Sequence, residues 1–181
     1  MPRFEKLLVL DLDETLVHAR EDALERPADH VLFDYHVYER PGVRAFLSHV
    51  LDRFHVGVWT SSGERYASGV VSMLFGDRSR LRFVLARDRC VPHRDLETLD
   101  TVYLKDIRKL RGFGFAKESI LFVDDSPEKI ARSYGNLVRV RPFEGDPDDD
   151  ELPALAAYLD ELGAVPDVRA IEKRGWRRRA G

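Results

Sequence analysis

The chain has 181 residues, 44% hydrophobic and 34% charged, with a formal net charge of −3. That size and balance fit one compact domain with a real core, and they exclude disordered, collagenous and low-complexity architectures. Lys+Arg of 29 against Asp+Glu of 32 excludes a generally basic nucleic-acid-binding surface, and the single cysteine, Cys90, excludes a cystine-stapled scaffold and predicts a reducing, cytoplasmic setting.

The first element is the apolar run Lys6-Leu7-Leu8-Val9-Leu10, ended by Asp11, which reads as a strand buried on both faces of a parallel sheet. It is too short for a signal-peptide core or a bilayer span, so no membrane association is expected. His30 to Glu39 alternates apolar and polar residues, predicting an antiparallel strand or half of a hairpin, a small flap. Pro41 stands at the expected N1 of a helix whose apolar face is Val43, Phe46, Leu47, Val50 and Leu51. A strand over Val56 to Trp59 and a helix over Glu64 to Phe75 follow.

Arg78 to Tyr103 reads as an insertion with one or two short strands, although Phe83-Val84-Leu85 has the look of a buried one. Strands are predicted at Ile120 to Val123 and Leu137 to Val140, with a helix from Ser126 to Ser133 between them. The acidic run Glu144 to Glu151 is expected to be a solvated loop capping a helix over Leu152 to Leu162. Residues 166–181 are expected to add a C-terminal helix and a basic tail, with Lys173 to Arg179 exposed and frayed and an anion or nucleic-acid contact as the alternative. Buried strands alternating with amphipathic helices predict a three-layer α/β domain over residues 1–165, with a mostly parallel sheet and no large cap.

The chemistry lies at the strand ends. In extended chain Asp11 and Asp13 point to the same side. Two carboxylates that close disfavour joint ionisation unless a cation compensates, and oxygen-only ligands favour Mg²⁺. Asp124-Asp125 forms a second strand-end pair. If the two strands are neighbours, these acids converge on one cation. A carboxylate there can attack phosphorus while a second acid protonates the leaving oxygen, with Asp11 as nucleophile and Asp13 as acid/base. Thr60, in Trp59-Thr60-Ser61-Ser62, and Lys105 supply a hydroxyl, backbone N–H groups and a positive charge.

DLDETL (Asp11 to Leu16), WTSS (Trp59 to Ser62), YLKD (Tyr103 to Asp106) and FVDDSP (Phe122 to Pro127) resemble the four motifs of the haloacid dehalogenase superfamily of phosphohydrolases. RPGVRAFL (Arg40 to Leu47), ARDRCVPH (Ala86 to His93) and LKDIRKL (Leu104 to Leu110) are similar to its small C-terminal-domain phosphatase branch, the nuclear-LIM-interactor-interacting-factor-like family. The resemblance covers residues 4 to 165. It implies that Asp11 is nucleophile and metal ligand, and that Asp13 is acid/base and binds the metal through its backbone carbonyl. It further implies that Thr60 holds a phosphoryl oxygen, that Lys105 pairs with the phosphoryl group and Asp11, and that Asp124 and Asp125 complete a Mg²⁺ site. The family often has Asp-Asn where this chain has Asp124-Asp125, which leaves open which of the two touches the metal. Thr15, Ser61 and Arg87 are the candidate substrate-binding residues.

The family implies a phosphoserine/phosphothreonine protein phosphatase with an open cleft and a phosphorylated protein as partner. A polynucleotide 3′-phosphatase and a small-metabolite phosphatase are the alternatives, with nucleic acid not favoured, and a non-catalytic phospho-ligand-binding module is the reading from another class. The oligomeric state is left open. Phe33, Tyr35, Tyr38, Phe83 and Arg87 are candidates for substrate recognition. A cysteine-dependent phosphatase fails because position 96, six after Cys90, is Leu96, and Cys90 with His93 is half a zinc ligand set. Cys90 is therefore read as packing and His18 as a flap histidine. Gly112-Phe113-Gly114 lacks the third glycine of a dinucleotide fingerprint.

Overall fold

The computed structural model describes residues 1–96 and 99–178. Strand β1 (Leu7–Leu10) leads into β2 (Val17–Arg20), β3 (His30–Leu32) and β4 (Tyr35–Glu39). Helix α1 (Val43–Arg53), β5 (His55–Trp59), α2 (Glu64–Phe75) and β6 (Leu81–Leu85) follow. The chain continues through β7 (Val91–Arg94), β8 (Thr101–Leu104), β9 (Ile120–Asp124), β10 (Leu137–Arg139) and α3 (Glu151–Ala164).

Five strands form a parallel sheet in the order β10-β9-β1-β5-β6. Alternating side chains divide the core between its faces. Leu8, Leu10, Val56, Val58, Leu121 and Val123 pack with residues of α1, α2 and α3. Leu7, Val9, Trp59, Ile120 and Phe122 pack on the other face with Leu110, Ile130 and Cys90. Gly57 is required within β5, because a Cβ there would lie 2.4 Å from the Phe83 ring. From β1 the chain winds to β5 and β6, then returns to the other side of β1 for β9 and β10. The switch point of this doubly wound sheet lies between β1 and β9, and the crevice outside the strand ends at such a point is where α/β sheets bind ligands.

Local differences from the sequence expectations have physical causes. The α1 helix begins at Val43, not Pro41, because Gly42 is its N-cap in the left-handed region (φ 79°), and Arg40-Pro41-Gly42 forms a turn closed by Val43 N–H to Arg40 C=O at 3.0 Å. His30 to Glu39 folds as a complete hairpin, which β2 joins on the β4 side. The insertion contributes β6 to the main sheet and folds the rest around the β7–β8 hairpin.

Ser126 to Ser133 does not form an α-helix. Pro127–Asn136 is a 3-10 segment broken at Ile130 and Ser133, a tight crossover between adjacent strands. Residues 166–178 hold two single 3-10 turns, Val168–Ala170 and Trp176–Arg178, in place of a helix. The tail is not frayed there: Lys173 and Trp176 are buried, and the Trp176 ring stacks on Tyr158 at 5.3 Å. Arg179 lies outside the described residues. Nor is the acidic run wholly solvated, since Glu151 is buried and Asp149 pairs with the buried Arg40. Among the described residues, no helix is long and apolar enough to cross a membrane.

Candidate active site

Adjacent pairing of β1 and β9, with Leu10 opposite Val123, carries Asp11 and Asp124-Asp125 to one edge of the sheet. The Asp11 N–H donates to the Val123 carbonyl at 3.0 Å, which locks the two strand ends together. Carboxylate oxygens of Asp11, Asp124 and Asp125 lie within 4.8 Å of one another. Lys105, at the end of β8, is buried between them, its Nζ 2.7 Å from Asp11 Oδ1 and 2.6 Å from Asp124 Oδ2. Burial alone would lower the Lys105 pKa, but the two carboxylates hold it raised, so the ammonium stays charged. Asp124 is pushed upward by burial and by the Asp11 charge, against the pull of Lys105 and Lys129.

Two buried carboxylate oxygens here have no hydrogen-bond partner, Asp11 Oδ2 and Asp125 Oδ1. An unpaired buried polar atom costs about 1–3 kcal/mol, more when charged. Asp124, by contrast, has both oxygens engaged, one by the Ser126 N–H at 3.0 Å and one by Lys105. Three hard oxygen donors with two of them unsatisfied fit a divalent cation such as Mg²⁺, and Asp11 and Asp125 have the oxygens to hold it.

Asp13, two residues after Asp11 and beyond the end of β1, sits in a separate nest. Ser62 Oγ donates to Asp13 Oδ2 at 2.7 Å and the Tyr66 hydroxyl donates to Oδ1 at 2.6 Å, while Thr60 Oγ1 lies 3.5 Å away. Burial raises the Asp13 pKa, the Tyr66 and Ser62 hydroxyls pull it back, and the Asp11 charge raises it further. Glu14 beside it has φ 55°, and burial with the charges of Asp13 and Asp125 pushes it up to about 7. The two aspartates of the first motif thus have different surroundings, Asp11 on ammonium groups and Asp13 on hydroxyls.

The site gathers Asp11, Asp13, Thr60, Lys105, Asp124 and Asp125 from separate segments. The buried Thr60 hydroxyl also accepts from the Ser62 N–H at 3.0 Å, shaping the loop before α2. Ser61 and Arg87 meet at the rim, where Arg87 Nε donates to the Ser61 carbonyl at 2.7 Å and the guanidinium lies over the Tyr103 ring. Thr15 is fully buried, its hydroxyl unpartnered and its carbonyl accepting from Arg40.

Of the recognition candidates, Phe33 is 42% exposed at the flap tip, under the Arg65 guanidinium. Tyr35 packs edge-on against Tyr66 at 5.7 Å, which connects the flap to the Asp13 nest. Tyr38 is buried in the flap, and Phe83 packs on Phe113, so both are engaged in packing. His18 belongs to the flap and reaches Glu14, and burial raises the Cys90 thiol pKa, as befits a packing residue. Lys129, Ser62 and Tyr66 were not singled out from sequence. Lys129 Nζ lies 3.8 Å from Asp11 Oδ2, a second cation on the carboxylate cluster.

A doubly wound parallel sheet with acids at its switch point, and no large cap among the described residues, is the haloacid dehalogenase-like fold class. The family description "NLI interacting factor-like phosphatase" matches residues 6–169, and the chain belongs to that family. It is 34% identical over 171 residues to a CTD small phosphatase-like protein 2 of Dictyostelium discoideum, covering 90% of this chain and 28% of that protein. It is 32% identical over 185 residues to CTD nuclear envelope phosphatase 1 of Xenopus tropicalis, covering 93% and 72%. The chain spans 53% of another relative, a probable C-terminal domain small phosphatase of Dictyostelium discoideum. Among solved structures, Fcp1, an essential RNA polymerase II CTD phosphatase, shares the fold with a TM-score of 0.66 at 18% identity, over 88% of this chain and 62% of that one.

Proposed function

We propose that this chain is a Mg²⁺-dependent phosphomonoester hydrolase that works through a phospho-Asp11 intermediate and acts on phosphoserine or phosphothreonine in proteins. The observation that carries this reading is the state of Asp11, which is buried with Oδ1 on Lys105 and Oδ2 without a hydrogen bond, 3.8 Å from Lys129 Nζ. One Asp11 oxygen attacks phosphorus, forming the Asp11 O–P bond as the ester P–O bond breaks, and the other is left for the cation. Asp13, held by Ser62 and Tyr66, gives its proton to the departing oxygen. It then takes a proton from the water whose oxygen attacks phosphorus and releases phosphate from Asp11.

Lys105 and Lys129 bring positive charge to the phosphoryl oxygens, and the Thr60 hydroxyl and the loop before α2 offer further donors. Asp11, Asp125 and the Asp13 carbonyl would hold Mg²⁺, with Asp124 fixing Lys105 beside them. When bound, the metal neutralises the phosphoryl charge and aligns it with Asp11. Thr15 supports the turn from within, while Ser61 and Arg87 at the rim contact the substrate. An open rim without a large cap suits a protein chain, and relatives named as CTD phosphatases support a phosphoprotein substrate. The single, buried cysteine supports a reducing, cytoplasmic setting.

The test is release of p-nitrophenol from p-nitrophenyl phosphate with Mg²⁺ and with chelator, by the protein and by Asp11→Asn. A panel of phosphopeptides and 3′-phosphorylated oligonucleotides follows. Activity that requires both Mg²⁺ and Asp11 and favours phosphopeptides is expected. No turnover with any divalent metal would replace the enzyme by a phospho-ligand-binding module.

A further inference from the structure

A groove of about 850 Å³ runs between the end of β10 and the C-terminal segment, lined by Arg139, Arg141, Arg169, Arg174 and Arg177, with Glu151 and Glu172 as its carboxylates. A chain with net charge −3 has thus collected guanidinium groups on one concave surface. Glu151 is buried and already shared by Arg141 and Arg177. Arg139 and Arg169 are exposed and form no ion pair with a carboxylate of the described residues. Like charges gathered in a groove repel one another, and an incoming anion relieves that repulsion.

We propose that this groove binds an acidic polypeptide segment. Its guanidinium groups already hold carboxylates at the surface. Asp150, 70% exposed, is held by Arg141 at 2.9 Å and Arg177 at 2.6 Å, and Arg174 grips both oxygens of Glu172 at distances of 2.6 to 3.1 Å. Exposed pairs of this kind contribute little, so an external carboxylate can replace them. Single-stranded nucleic acid would need exposed aromatic faces for stacking, whereas of the aromatic residues in the groove Tyr134 is exposed and Trp176 is buried.

One groove residue, Arg139, also touches the candidate active site. Arg139 pairs with Asp124 in the sheet register, and its Nε donates to the Asp125 carbonyl at 3.3 Å. A chain with its phosphoserine at Asp11 would reach the groove by way of Arg139. That the segment belongs to the substrate rests on the phosphatase reading above. That the groove takes an acidic segment does not.

The binding test uses the full chain and a short fluorescein-labelled oligoglutamate, followed by anisotropy at low salt. Binding is expected, with affinity about tenfold weaker in Arg139→Ala/Arg169→Ala, a fold-change equal to about 1.4 kcal/mol. Thermal melting of that variant should match the parent. Absence of binding, equal binding by the variant, or tighter binding of an oligothymidylate of the same charge overturns the proposal. A phosphoserine peptide with an acidic flank should show a lower KM than one with a neutral flank in the parent protein only. Equal KM values, with oligoglutamate binding intact, overturn the assignment to substrate. If neither phosphopeptide is hydrolysed, the phosphoprotein reading has failed and oligoglutamate binding alone decides the groove.

Discussion

Arg40→Met is expected to cost about 3–5 kcal/mol of stability, the cost of stranding one partner of a buried ion pair. Arg40 is fully buried. Its fork takes both oxygens of Asp149, Nε to Oδ1 at 2.7 Å and Nη2 to Oδ2 at 2.8 Å, and Nη1 donates to the Thr15 carbonyl at 3.1 Å. One guanidinium therefore ties the turn that carries Asp11 and Asp13 to the loop preceding α3. With Asp149 only 9% exposed, the methionine variant leaves a carboxylate with little water to compensate it.

Domains have total stabilities of about 5–15 kcal/mol, so the variant should remain folded at a much lower urea midpoint, followed by tryptophan fluorescence. Arg40→Met/Asp149→Leu removes both charges and should recover most of the loss. Burial raises the Asp149 pKa, but the Arg40 hydrogen bonds and charge, with the Glu151 N–H and the Arg141 charge, together hold it below the usual carboxylate value. A depressed folded-state pKa gives stability that is present above about pH 4 and lost as pH falls through the folded value, so the gap between parent and variant should narrow in acid. A loss under about 1 kcal/mol, the scale of an exposed pair, or a double variant no better than the single one would refute the reasoning.

Asp13→Asn should slow the transfer of phosphate to Asp11 by about 10²–10⁴-fold from alkyl phosphates and much less from aryl phosphates, because only the poor leaving group needs the proton; pre-steady-state release of alcohol and of phenol checks it. Trp176→Ala should cost about 3–5 kcal/mol, read from urea unfolding, since it deletes a buried ring stacked on Tyr158 and an indole N–H donated to the Arg139 carbonyl at 2.7 Å. The Cys90 thiol, buried and with a raised pKa, should react with Ellman's reagent only on unfolding; rapid labelling of the native protein would contradict its assignment to packing.

Much of this architecture is legible in the sequence because its strands are buried on both faces and so appear as unbroken apolar runs. Leu7 to Leu10 and Ile120 to Val123 end in acids, and a parallel pairing of the two suffices to bring Asp11 and Asp124-Asp125 together. The Asp13 nest was not legible. Ser62 and Tyr66 stand at the loop and first turn of α2, where a hydroxyl and an aromatic ring read as a cap and a core residue. Only the fold shows that both donate to one carboxylate. Lys129 lies on an irregular 3-10 segment with no periodicity to orient it, and a lysine there reads as solvated. The tail was misread because its charge density outweighs one tryptophan in composition, whereas burying Trp176 in the structure draws Lys173 in with it, the latter's Nζ donating to backbone carbonyls.

The most direct measurement is mass spectrometry of acid-quenched Asp13→Asn protein during turnover of an aryl phosphate with Mg²⁺. An aryl group leaves without the acid, but water then lacks its base, so the account predicts a phosphoryl group on Asp11 that hydroxylamine removes. Hydrolysis by the parent protein with no phosphoryl group on Asp11 in either protein, or turnover that persists in Asp11→Asn, would contradict it.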